Sequence, residues 1–161
     1  MVATLKYDDH GLRKVRHPLA FSIRETTFEW SETQRLMRDF DERFSEVRGR
    51  RGVVKHPLGR YLYACRTDRS HALAVCEYVD FPDSKERGIF TSCCEPTREG
   101  TLAFYALFNH LIETMPPGWQ AEGVVAWTNE PMRRMIEKSG VKPKGVIYAK
   151  ERSLCAAHYQ L

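Results

Sequence analysis

The stretch WTNEPMRRMIEKSGVKP, residues 127–143, carries the punctuation of a short helix that follows directly on a strand. Asn129 is placed to cap the N-terminus, Pro131 falls in the first turn where a missing N–H costs nothing, and Gly140 supplies the left-handed stop. Upstream, EGVVAWTN (122–129) reads as a short buried strand, and downstream KGVIYAKE (144–151) reads as another. A strand, a bracketed helix and a strand near the end of a small protein set the frame that the rest of the chain must fit.

Working outward, TLAFYALFNHLIET (101–114) is the strongest helix signal, ended by Pro116-Pro117-Gly118. It is apolar almost all round, so it is expected to be buried against a sheet. Before it stand three strands, 60–66, 71–80 and 87–94, separated by the short polar turns TDRS and FPDSKE, the pattern of an antiparallel meander. Residues 19–25 alternate as a first strand. A helix follows, opened by the Ser31/Gln34 capping box and carried by Leu36, Met37, Phe40, Phe44 and Val47 to about residue 47. The tail 153–159 reads as a last strand or a loose arm. The order predicts an α/β fold in a single domain, a mixed, mainly antiparallel sheet with helices on both faces.

Composition narrows the function classes. The 161 residues suffice for one core, and 42% hydrophobic against 29% charged residues excludes a wholly disordered chain. No apolar run approaches the ~20 residues of a membrane span, and MVATLKYDDHGLRKVRHP lacks the apolar segment of a signal peptide, so a cytoplasmic location is expected. The five cysteines show no CxxC spacing, and the adjacent Cys93 and Cys94 point to opposite faces of a strand; neither a disulfide framework nor a metal site is indicated. The net charge of +4 is concentrated in RGRRGVVKHPLGR (48–60). That loop is read as a solvated connection, with nucleic acid an unexpected partner, because no aromatic residues interleave for base stacking.

The element order, with Asn129 followed eleven residues on by Gly140, resembles the GNAT superfamily of acyl-CoA N-acyltransferases over roughly residues 19–151. This frames residues 1–18 as an N-terminal arm and 19–161 as a GNAT-like domain. The resemblance implies that the strands ending at Cys93-Cys94 and Trp127-Thr128 splay apart and admit the pantetheine arm of acetyl-CoA. By that resemblance Ser92, Cys93 and Cys94 hold the acyl and pantetheine groups through backbone atoms. Arg98, Glu99, Gly100 and Thr101 cradle the diphosphate, and Asn129 lies beside the arm. An amine, on a small molecule or a protein, then attacks the thioester, and a carboxylate removes its proton. Glu77 and Glu95 are the carboxylates named for that role, with Glu86 in the turn as a further one; as charged residues they are expected at the surface.

Two departures from the family pattern stand out. The phosphate loop reads Glu95-Pro96-Thr97-Arg98-Glu99-Gly100, with glycine only at the last position, and Ile136 stands where members often carry a proton-donating tyrosine. Tyr105 and Tyr148 are the hydroxyls that remain to replace it. A second reading therefore stands beside the transferase: a catalytically inactive GNAT-fold binding or structural protein, like some phage-encoded virion or assembly components. Its expected partners are another protein or a second copy of the chain, and its location is the host cytoplasm or the virion.

Overall fold

The computed structural model describes residues 21–48, 56–66, 71–126, 130–138, 143–149 and 154–160. Within them the elements are β1 (Phe21–Thr26), α1 (Ser31–Arg48), β2 (Arg60–Arg66), β3 (Ala72–Phe81), β4 (Glu86–Cys94), α2 (Arg98–Glu113), β5 (Gln120–Ala126), α3 (Glu130–Lys138), β6 (Pro143–Ala149) and β7 (Leu154–Gln160). The proposed arm 1–18, the basic stretch 49–55, Trp127, Thr128, Asn129 and Gly140 lie outside the described residues.

All described strands join one sheet in the order β1-β2-β3-β4-β5-β7-β6. Its pairs are antiparallel except β4 with β5, so the sheet is mixed and mainly antiparallel, as the meander predicted. The tail is a true strand. Instead of adding at the edge, β7 inserts between β5 and β6, hydrogen-bonded to both.

Helices cover both faces. α2 turns Ala103, Phe104, Leu107, Phe108, Leu111 and Ile112 onto the sheet, where they meet Leu62, Ala64, Cys76, Tyr78 and Ile89; Ile136 of α3 joins the same cluster. On the opposite face, Leu36 and Met37 of α1 pack on Tyr61, Tyr63, Cys65, Val75 and Cys93. Side chains alternate across a strand, so β3 has one set of residues on each core, and every residue from Ala72 to Tyr78 is buried. Each fully buried leucine adds roughly 1.5–3 kcal/mol of transfer free energy. Cover on both faces buries Glu77, which was expected at the surface, together with the apolar residues of the strand.

α2 begins at Arg98 rather than at Thr101. Thr97 adopts extended backbone (φ −128°, ψ 162°) and its hydroxyl accepts the Gly100 N–H at 3.0 Å, an N-cap four residues ahead of Thr101. The C-terminal end is tied down by a buried guanidinium. Arg87, 5% exposed on β4, donates to Asp80 Oδ1 (2.7 Å) and Oδ2 (3.0 Å), to the Leu111 carbonyl (2.6 Å) and to Thr114 Oγ1 (3.0 Å), with its guanidinium 4.8 Å from the centre of the Tyr78 ring. One side chain thereby satisfies a last-turn carbonyl of α2 and fastens that helix to the β3–β4 hairpin.

Candidate functional site

The site starts from a local irregularity. Cys76 pairs with Ser92 and Tyr78 with Ile89, so the single β3 residue Glu77 faces two β4 residues, Phe90 and Thr91. Such a bulge bends a strand and increases its twist. On its other edge β4 pairs with β5 only from Glu86↔Gln120 to Ile89↔Gly123. The last pair thus lies directly before the bulge, and beyond it β4 continues to Cys94 and β5 to Ala126 without pairing, which opens a wedge between them.

The register fixes which backbone groups line that wedge. The Glu95 N–H donates to the Leu73 carbonyl at 2.9 Å, and in an antiparallel ladder the direction alternates with each residue. Cys93 therefore turns its backbone to β3, whereas Ser92 and Cys94 turn theirs to the wedge. The Cys94 carbonyl accepts from Arg43 Nη2 of α1 at 2.9 Å. Of the three residues named from sequence for backbone contacts, two face the gap and Cys93 faces away from it. Their side chains are engaged elsewhere: Ser92 Oγ lies 3.1 Å from Cys76 Sγ, and Cys93 is buried against α1. Burial pushes the Cys76 thiol up to about 12 and raises those of Cys94 and Cys65, so none of these three is a thiolate nucleophile near neutral pH.

At the wide end of the wedge stands the N-terminus of α2. With Gly100 N–H bound to Thr97 Oγ1 and Thr101 N–H to the Thr97 carbonyl at 3.0 Å, the N–H groups of Arg98 and Glu99 remain outside the helical ladder. Thr101 lies one turn inside the helix, its hydroxyl turned back on the Thr97 carbonyl at 3.2 Å. Gly100 meets a tight steric limit, since a Cβ there would stand 2.3 Å from the Glu95 carbonyl oxygen. The two acids of this turn each have an arginine partner. Glu95 accepts from Arg35 Nη1 at 2.9 Å and contacts His71 Nε2, while Glu99 pairs with Arg66 at 3.3 Å.

Arg35 also bonds Glu32 (2.7 Å) and the Ala72 carbonyl (2.7 Å), and His71 Nδ1 lies 2.9 Å from Glu32. The cluster ties α1 to the start of β3 and the end of β4. The hydrogen bond from Arg35 holds the Glu32 carboxyl below the usual range, against burial that pushes it up. That contribution to stability is present above the ordinary carboxylate pKa and is lost as the pH falls through the lowered one.

Glu77 is not a surface acid. It is fully buried opposite the bulge, and its Oε1 accepts the His56 N–H at 2.7 Å. Its Oε2 and the Tyr61 hydroxyl are both buried, and the two side chains interact with each other. The Glu77 carboxylate pushes the Tyr61 phenol up, second only to burial. Gly59 makes room for it: a Cβ there would fall 2.2 Å from Glu77 Oε1. Glu95, just past β4, faces Leu73 and so stands about 13 Å from Glu77 along the sheet, at ~3.3 Å per residue, and Glu86 opens β4 at its far end. Sequence reasoning missed His56, Gly59 and Tyr61, which carried only loop and strand signals. Ile136 is buried in the α2-side core, and Tyr105 is half-buried on α2. Asn129 and the Tyr148 side chain lie outside what is described.

No protein-family model and no curated protein matches the chain. Solved structures match throughout its length. A probable GNAT-family acetyltransferase from Chromobacterium violaceum ATCC 12472 superposes with a TM-score of 0.63 at 15% identity, covering 100% of this chain and 89% of that one. The ribosomal-protein-S18-alanine N-acetyltransferase of Escherichia coli gives 0.61 at 14% identity, with 88% and 93% covered. Spermidine/spermine N-acetyltransferase SpeG from Vibrio cholerae, in complex with manganese ions, gives 0.58 at 10%, with 88% and 91% covered. The chain has the GNAT fold. No described helix is long and apolar enough to cross a membrane.

Proposed function

We propose that the chain is an N-acetyltransferase that binds acetyl-CoA in the wedge between β4 and β5 and modifies an amine. The observation that carries this reading is the bulge at Phe90-Thr91, which ends the β4–β5 pairing and turns the Ser92 and Cys94 backbone into the opening. An amide-containing arm can pair with those groups as a substitute strand. The loose amides of Arg98 and Glu99, with the Arg98 guanidinium, suit a diphosphate, while Arg35 and Arg66 pair with the nearby Glu95 and Glu99. Acetyl-CoA supplies the activated acetyl group. Gly100 keeps the helix end against β4, and Glu77, one strand from the wedge and level with its apex, takes the proton of the attacking amine through water.

Titration calorimetry with acetyl-CoA tests the reading. Micromolar binding that Arg98→Glu abolishes is the expected result; no heat at millimolar cofactor sinks it. The second reading, a catalytically silent binding protein on this fold, is favoured by Ile136, which offers the core a side chain where a proton donor would serve the leaving thiolate. Glu77→Gln decides between a base and a merely buried carboxylate. As a base, Glu77 contributes about 10²–10⁴-fold to turnover, and the substitution lowers kcat by that factor while leaving acetyl-CoA affinity intact.

A further inference from the structure

Just beyond the apex of the wedge, three rings gather around Gly88. Val79, in register with this glycine, is four residues from Val75 of the α1-side cluster, so Gly88 belongs to the same face of the sheet. A Cβ at Gly88 would stand 2.9 Å from Phe90 Cε2 and 3.2 Å from Phe81 Cε2; the Phe90 side chain therefore folds back over β4, and the bare glycine makes room for it. The His56 ring lies 5.0 Å from that of Phe90 at 33° and meets Phe81 edge-on at 6.5 Å. Its Nδ1 accepts the Leu58 N–H at 3.1 Å, and the His56 carbonyl accepts the Gly59 N–H at 2.9 Å, which fixes the ring on its turn. These rings stand apart from the apolar cluster that α1 covers. Phe90 is 44% exposed and Leu58 68%, an apolar patch open to solvent.

The register relates this patch to the wedge. A cofactor arm that enters from the N-terminus of α2 brings its acyl end to the last β4–β5 pair, Ile89↔Gly123, and Phe90 is the next residue of β4. The arm fills the wedge side of that apex, which leaves the other side, over Phe90 and Gly88, for the amine. Glu77 faces Phe90 from the neighbouring strand, about 4.8 Å away. The His56 N–H that holds its Oε1 at 2.7 Å comes from the same ring cluster. Gly88 precedes Phe90 by two residues, so the Phe90 ring reaches about 7 Å back from the apex, at ~3.3 Å per residue. That distance suits a short alkyl linker between an amine and a flat apolar group, which stacks on the open side of Phe90 and covers Leu58.

Resting on the transferase reading, we infer that the Phe90–His56 ring pair is the acceptor subsite and that the acceptor is an amine carrying an aromatic ring on a short alkyl linker. The test compares phenylalkylamines of increasing linker length with alkylamines and hydroxyalkylamines of matched length, by kcat/KM with acetyl-CoA and by calorimetric binding without it. The expected result is a phenylalkylamine favoured about tenfold in both measurements, a preference that Phe90→Ala removes and Phe90→Tyr keeps. Gly88→Ala, whose Cβ displaces the end of the Phe90 ring, and Leu58→Ser at the exposed edge each reduce it, and they carry the comparison if Phe90→Ala does not fold. Equal constants for the three amine series, or a preference that survives these substitutions, overturns the inference and leaves the transferase standing. Ring-dependent binding that Phe90→Ala removes, without acetyl transfer to any amine, retains the aromatic subsite and rejects the transferase. Neither binding nor transfer overturns both.

Discussion

Arg87→Ala is expected to cost the fold about 3–5 kcal/mol, the usual penalty for removing one partner of a buried, hydrogen-bonded charge pair. The residue is 5% exposed, and its loss would leave Asp80 unpaired, free the Leu111 carbonyl at the end of α2 and remove the cation over the Tyr78 ring. In a domain of this size the melting temperature should fall by on the order of 10 °C. Urea denaturation of the two proteins checks it. A difference under about 1 kcal/mol would mean that the guanidinium contributes no more than a surface ion pair. Arg87→Met combined with Asp80→Asn should cost less than Arg87→Ala alone, because paired removal leaves no stranded charge.

Gly100→Ala is the second large effect. The new Cβ would stand 2.3 Å from the Glu95 carbonyl oxygen and 2.9 Å from its carbon, both backbone atoms that cannot swing away as a side chain end can. Relief requires the first turn of α2 to lift from the end of β4. Overpacking of this kind costs about 1–3 kcal/mol, and the displaced turn should lose acetyl-CoA affinity by more than tenfold, roughly 1.4 kcal/mol. Gly123→Ala is the control: its Cβ would meet the Ile89 carbonyl oxygen at 3.6 Å, an ordinary contact, so stability and binding should both stay near wild type. Equal behaviour of the two variants would show that the α2 turn does not need its close approach to β4.

Both effects arise from contacts between residues far apart in sequence, and they mark the limit of what could be read along the chain. Periodicity was sufficient for elements whose environment is set locally. The apolar stripe of α2, the three alternating or apolar runs of the meander, and the short helix between two strands all appear where the spacing placed them, within a few residues. The same reading led to the GNAT resemblance, and the superposed structures bear out that fold. The start of α2 was missed because Arg98-Glu99-Gly100 interrupts the apolar pattern, while the Thr97 cap that starts the helix leaves no periodic trace.

The site belongs to the tertiary structure. A β-bulge is a mismatch between two strands, two residues facing one, so neither strand alone records it; the mismatch at Glu77 decides where β4 leaves β5. The acids show the same division. Sequence treated Glu77 and Glu95 alike, as charged residues expected in solvent. One is buried beneath His56 and Gly59 because helices cover both faces of β3, and the other is held by Arg35 and His71 because α1 crosses the end of β4. Local pattern determined the kinds and order of the elements, since backbone preference and side-chain spacing act over a few residues. Strand register and cover from the opposite face decided which carboxylate is buried and which backbone groups face the wedge, since those depend on partners brought together only by folding.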